Sequence, residues 1–303
     1  MTTIRILIAA PSNLGLQAPA PGVEPGVKYL PERLQALGFA DQGNLQETVV
    51  VAPPPYGTDI DAVSKVRNAA AIRKYSITLA NTIKQSVQAG QQPVVVGGDC
   101  SILLGCMLGL KSLGQHGLFF LDGHTDYMWP EHSSTNGAAG MDLALVTGNG
   151  DAKLTNINDA IPYVKEDDVF CCGNREYDEE YVQLIKQSEI HYYDLAALRQ
   201  QGLATTAVKF LQMVEDHQLK GFWIHLDVDV LDNKIMPAVD SPQKGGLSYA
   251  ELRTVLLPLL SAPNCKGIDI TILDPTLDEG GVAAKAFVEN ISGILRDSAT
   301  AGL

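Results

Sequence analysis

Eight short apolar, β-branched runs recur along the chain, at 4–9, 47–51, 93–96, 117–121, 168–172, 190–193, 221–226 and 267–270. Amphipathic stretches at helical spacing lie between most of them, at 61–88, 101–113, 177–186, 205–215, 249–260 and 282–295. Short apolar strands alternating with helices predict a parallel sheet covered on both faces. Eight strands in one alternating series predict a single α/β domain over 1–303 rather than two units. Neither an internal repeat nor a low-complexity segment interrupts the series. The Pro/Gly-rich segment 18–26 follows the first strand and reads as a loop at the active edge of the sheet. The connections 126–140 and 232–246 are long for an α/β fold, which marks them as functional loops.

Composition narrows the partners. With 22 basic against 35 acidic residues the formal charge is −13, which suits neither a phosphate backbone nor an anionic membrane surface. The five cysteines are odd in number and show no CxxC spacing, so a disulfide framework is not expected. The apolar run near Met1 is too short for a signal-peptide core, and no stretch approaches membrane-spanning length. The expected location is cytoplasmic.

The stretch "VVVGGDCSILLG", 94–105, places Cys100 at a strand-to-helix turn, where open α/β sheets assemble their sites. Cys100 is a candidate nucleophile, metal ligand or small core residue. A nucleophile needs a free base nearby, and the nearest histidine candidate, His124, belongs to a second cluster. In "LFFLDGHTDY" an apolar strand runs into Asp122, His124 and Asp126, and in "FWIHLDVDVLD" another runs into Asp227 and Asp229. Residues at i, i+2 and i+4 of an extended chain point to one side, so the five side chains are expected to converge. Four clustered carboxylates cannot all ionise without cations. Hard oxygen donors with one imidazole suit a pair of divalent ions of the manganese type, which activate water near neutral pH. His225 alternates with Asp227 and reads as a supporting or core histidine. Cys106, Cys171, Cys172 and Cys265 sit in apolar contexts and read as core residues.

These motifs, in this order, resemble the arginase/agmatinase (ureohydrolase) family. "GVEPGVKYLPERLQALGF" is similar to its N-terminal segment, "GGDCS" to GGDHS, "LDGHTD" to DAHxD, and "LDVDVLDNKIMPAVDSPQKGGLS" to SxDxDxxDPxxxPxxxxPxxGGL. The resemblance implies a three-layer α/β/α sandwich around a mostly parallel eight-stranded sheet, and a homo-oligomer, trimer or hexamer. It also implies two Mn²⁺ ions bridged by Asp122 and Asp227. Asp126 and the residue at position 100 would complete the first site, and His124 and Asp229 the second. The implied reaction is hydrolysis of a linear C–N bond in a guanidino or amidino compound, with Asp126 and His124 at the reacting centre. "GNREYDEE" resembles the family's G-x-R-D-x-D segment, which makes Asp178 a candidate contact for a substrate ammonium and Arg175 a structural salt-bridge partner.

Three positions depart from that pattern. Cys100 stands where the family has a metal-binding His, and Ala139 where many members have a proton-shuttling His. Ile272 replaces a Glu that pairs with the guanidinium. A thiolate favours softer ions such as Zn²⁺ or Fe²⁺ over Mn²⁺. His132 is the candidate replacement shuttle. A guanidinium left unpaired in a buried pocket is costly, so the expected substrate is a less basic amidine or a modified guanidine rather than arginine. The alternative is a non-catalytic or regulatory relative that keeps the fold and partial metal binding.

Overall fold

The computed structural model describes residues 4–175 and 179–301. All eight apolar runs are strands of one sheet: β1 (Ile4–Ala10), β2 (Thr48–Val50), β3 (Gln91–Gly97), β4 (Gly117–Leu121), β5 (Val169–Cys172), β6 (His191–Tyr193), β7 (Phe222–Asp227) and β8 (Cys265–Thr271). Their order is β2-β1-β3-β8-β7-β4-β5-β6. Every pairing is parallel, so the sheet is wholly rather than mostly so.

The strands inside the two edges read as continuous apolar runs because both faces are covered, whereas the edge strands β2 and β6 stay partly exposed. Along β4, Leu118 and Phe120 enter one core, while Phe119 and Leu121 enter the other. The first core packs Leu118 with Ile72, Leu79, Leu104 and Leu143 from the helices Ala69–Gln88, Ile102–Lys111 and Asp142–Val146. The second includes Phe210, Leu252 and Phe287, from Leu203–Asp216, Tyr249–Ser261 and Val282–Ala301. Each such Leu or Phe contributes roughly 1.5–3 kcal/mol by leaving water. This gives helices, sheet and helices in three layers. The helix expected over 61–88 starts only at Ala69. Asp61 instead caps a turn, its Oδ1 accepting from the Val63 and Ser64 amides, and Lys65 and Asn68 take positive φ before the helix begins.

Chain order and sheet order differ most in the middle. After β3 the chain leaves two places for β8 and β7, builds β4, β5 and β6 outward, and then returns to fill the gap. The carboxyl ends of β3, β8, β7 and β4 therefore lie side by side, at the edge where such sheets bind ligands.

Close approach at that edge depends on Gly98. A Cβ built there would lie 1.6 Å from the Ser12 carbonyl oxygen, and Asp99 N donates to the same oxygen. The obstacle is backbone rather than a flexible side chain, so it cannot swing aside. Gly98→Ala is expected to destabilise the fold by at least the ~1–3 kcal/mol typical of overpacking. An unchanged denaturation midpoint would contradict this packing.

Candidate metal centre

Strands β4 and β7 pair in register through Leu121 and Leu226, so the next residues, Asp122 and Asp227, emerge side by side. Neither loop beyond them continues as a strand. The convergence expected from pleat alternation is achieved by tight turns instead. Asp227 Oδ1 accepts from Asp229 N at 2.7 Å in a 3₁₀ turn over Val228–Val230. Asp122 Oδ1 accepts from His124 N at 2.6 Å. The two turns are tied together where Gly123 N donates to Asp229 Oδ1 at 2.9 Å. Asp126 holds a positive φ of 42°, a conformation disfavoured for a residue with a side chain.

Asp122, His124 and Asp229 bring ligand atoms within 4.8 Å of one another, and so do Cys100, Asp122 and Asp227. His124 Nδ1 lies 2.8 Å from Asp229 Oδ2, while Gln243 Nε2 donates to His124 Nε2 at 2.9 Å. Arg175 donates from Nη2 and Nη1 to the Asp229 and Val230 carbonyls at 2.8 and 2.9 Å, so its guanidinium braces the Asp229 turn through the main chain. Asp178 lies outside the described residues.

The protonation pattern is that of a cation site. Burial, then Asp126 and Asp229, push the Asp122 carboxyl well above its ordinary range. Burial, then Asp229 and Asp122, do the same to Asp227. Burial also opposes ionisation of Asp229, but the His124 ring, the Gly123 amide and Arg175 outweigh it and hold that carboxyl low. Asp122 Oδ2 is buried without a hydrogen-bond partner. Oxygen-rich donors with one imidazole and an orphaned carboxylate oxygen fit divalent ions, which would reverse the upward shifts.

Cys100 lies against these buried carboxylates and not in an inert core. Its Sγ donates to Asp227 Oδ2 at 3.0 Å and lies 3.1 Å from Thr271 Oγ1, the residue opposite Asp227 on β8. Burial and the neighbouring Asp227, Asp142 and Asp122 push its thiol far up, which argues against a thiolate nucleophile. All five cysteines are free and buried, as expected for the other four.

Two buried residues join the cluster that the sequence pattern did not single out as ligands. His225 directs Nδ1 to Asp269 Oδ2 at 2.5 Å, and Asp269 also accepts from Trp223 Nε1 at 2.5 Å. Its Nε2 lies 3.9 Å from both Asp122 Oδ2 and Asp142 Oδ2. Asp142 begins a helix directly after "AAGM", where only Ala139 had drawn notice.

Above the centre opens a cleft of about 520 Å³ whose lining includes Cys100, His124, Asp126, Asp227, Asp229 and Ile272. Its volume suits a small molecule. Ile272 has a φ of 76°, strained for a β-branched residue, and its amide donates to the Gly98 carbonyl at 2.7 Å. Ala139 lines the wall, and His132 is exposed while the following Ser133, Ser134 and Thr135 line the cleft. Asp240, absent from the sequence-based candidates, also faces the cleft. The surrounding protein and the Asp229 charge push its carboxyl up to about 6.

The family model described as Arginase family matches residues 5–294. The chain belongs to the arginase family. An arginase from Brevibacillus brevis is 29% identical over 299 residues, covering 96% of this chain and 97% of that one. The arginase structure from Bacillus caldovelox superposes with a TM-score of 0.85 at 25% identity, covering 97% of this chain and 98% of that one. The formimidoylglutamase structure from Bacillus subtilis shares the fold at a TM-score of 0.73 and 20% identity, covering 98% and 87%. The family's fold is thus that of this chain.

Asp122 contacts both halves of the centre. Asp122→Asn should weaken Mn²⁺ binding more than about 10-fold in calorimetric titration. Parent-like affinity would remove Asp122 from the metal centre.

Proposed function

We propose that this arginase-family chain is a binuclear metal-dependent hydrolase of linear C–N bonds in a guanidino or amidino compound. The observation that carries the reading is the convergence of Asp122, His124, Asp126, Asp227 and Asp229 beneath one small-molecule cleft. Asp122, His124, Asp126, Asp227 and Asp229 would hold the two ions, with Asp122 and Asp227 shared between them. Two divalent ions of the Mn²⁺ class supply, when bound, water activation near neutral pH and positive charge at the reacting carbon.

The chain's own groups then orient substrate and handle protons. Three further carboxylates line the cleft. Glu24 accepts from Lys28 and Asn13, and Asp274 accepts from the Gly26 amide and Thr276, so both are occupied in holding loops. Asp240 is the carboxyl placed to give the departing amine its proton, in the role the family's histidine would fill at Ala139. The wall at Ile272 is apolar where a carboxylate would have paired with a guanidinium. That favours a substrate whose amidine end carries less positive charge than unmodified arginine. The catalytic assembly expected by family resemblance is a homo-oligomer.

Two measurements check this reading. A panel of amidino and guanidino compounds with added Mn²⁺, assayed for urea, ammonia or amine release, should yield turnover with at least one less basic member and little with L-arginine. Ion binding without release from any compound would favour the non-catalytic alternative, and efficient urea release from L-arginine would contradict the pocket assignment. With the active compound, Asp240→Asn should lower kcat by about 10²-fold or more with KM little changed, as expected for loss of a general acid. Unchanged kcat would place the proton donor elsewhere.

A further inference from the structure

Behind the cleft floor, three buried polar atoms have no hydrogen-bond partner: His225 Nε2, Asp142 Oδ2 and Asp122 Oδ2. His225, Asp142 and Asp122 are each 0% exposed, so bulk water does not satisfy them. The 3.9 Å from the imidazole nitrogen to each carboxylate oxygen is too long for a hydrogen bond. Cys100 joins them, its Sγ within 4.8 Å of the Asp142 and His225 ligand atoms. Around a four-coordinate ion with bonds of ~2.0–2.3 Å, neighbouring ligand atoms sit roughly 3.3–3.8 Å apart, close to these separations.

We propose that Cys100, Asp142 and His225 form a separate site for one borderline or soft divalent ion of the Zn²⁺ class, set deeper than the cleft-floor centre. The donors are one sulfur, one oxygen and one nitrogen, a mixture that suits Zn²⁺ or Co²⁺ better than Mn²⁺. A thiolate and one carboxylate balance a divalent charge while the imidazole stays neutral. The ring is already oriented for ligation. Nδ1 is held by Asp269, itself fixed by Trp223, and the ring stacks on Phe120 at 4.6 Å between centroids. A carboxylate behind a histidine in this way sets the tautomer that leaves Nε2 free for metal. On binding, the Cys100 thiol loses its proton to solvent and Sγ exchanges its hydrogen bond to Asp227 for the ion. The proposal rests on the arginase-family reading only for Asp122, which adjoins both sites. It removes Cys100 from the cleft-floor ligands.

The test is titration of the intact protein with Co²⁺, followed by the thiolate-to-cobalt charge-transfer absorption. The parent should develop the band, and Cys100→Ser should lose it. His225→Gln and Asp142→Asn should lose the band or require more than about 10-fold higher Co²⁺. Asp126→Asn and Asp229→Asn, which alter only the cleft-floor centre, should keep it. No band in the parent overturns the proposal. So does a band that survives His225→Gln and Asp142→Asn but disappears with Asp126→Asn, because Cys100 would then serve the cleft-floor centre. If His225→Gln or Asp142→Asn does not fold, X-ray absorption on one equivalent of Zn²⁺ bound to His124→Ala protein decides. A sulfur and an imidazole together support the deeper site, and a shell lacking either overturns it. None of these readouts depends on hydrolysis, so failure of the proposed activity and failure of this site remain distinguishable.

Discussion

Two neighbouring strands, β4 and β7, pair in register up to Leu121 and Leu226, and the next residue of each is a buried aspartate, Asp122 just past β4 and Asp227 at the end of β7. Burying Asp122 and Asp227 together is unfavourable unless something positive lies between them. Much of the surrounding architecture answers that constraint. The Asp227 and Asp122 side chains cap their own turns, and the Gly123–Asp229 bond ties the turns together. Arg175 braces the Asp229 turn through its carbonyls, leaving the Asp229 carboxylate to face His124. The strained backbone at Asp126 and Ile272 lies in the same cleft, as expected where a fold stores strain for function.

The three positions that the sequence reading set apart, Cys100, Ala139 and Ile272, all line one cleft. Cys100 faces Asp227 and Thr271 across adjacent strand ends, and behind it lie His225 and Asp142. From β7, two places along the sheet from β3, His225 brings an imidazole nitrogen within 4.8 Å of the Cys100 Sγ. Ala139 and Ile272 are apolar parts of the cleft lining, and Asp240 brings a carboxyl to the same lining.

Much of the fold was legible because the sheet is buried on both faces: its strands are the apolar runs, and all eight were found. Asp122, His124, Asp126, Asp227 and Asp229 were legible because they follow β4 and β7 within a few residues. Pleat alternation holds only as far as each strand end; beyond it the grouping comes from side-chain-capped turns. Asp142 and Asp240 were missed because their positions depend on how long connections fold back over the edge, which local periodicity does not encode. The late start of the helix at Ala69 has a local cause, the Asp61-capped turn, inside an otherwise continuous pattern.

The central claim is that this sheet edge is built around cations. Anomalous diffraction from crystals grown with Mn²⁺, collected on both sides of the manganese edge, tests it most directly. Peaks within bonding distance of Asp122, Asp227 and their neighbours His124, Asp126 and Asp229 are the predicted result. A fully ordered edge with no anomalous peak, its carboxyls bridged by protons or water alone, would contradict it.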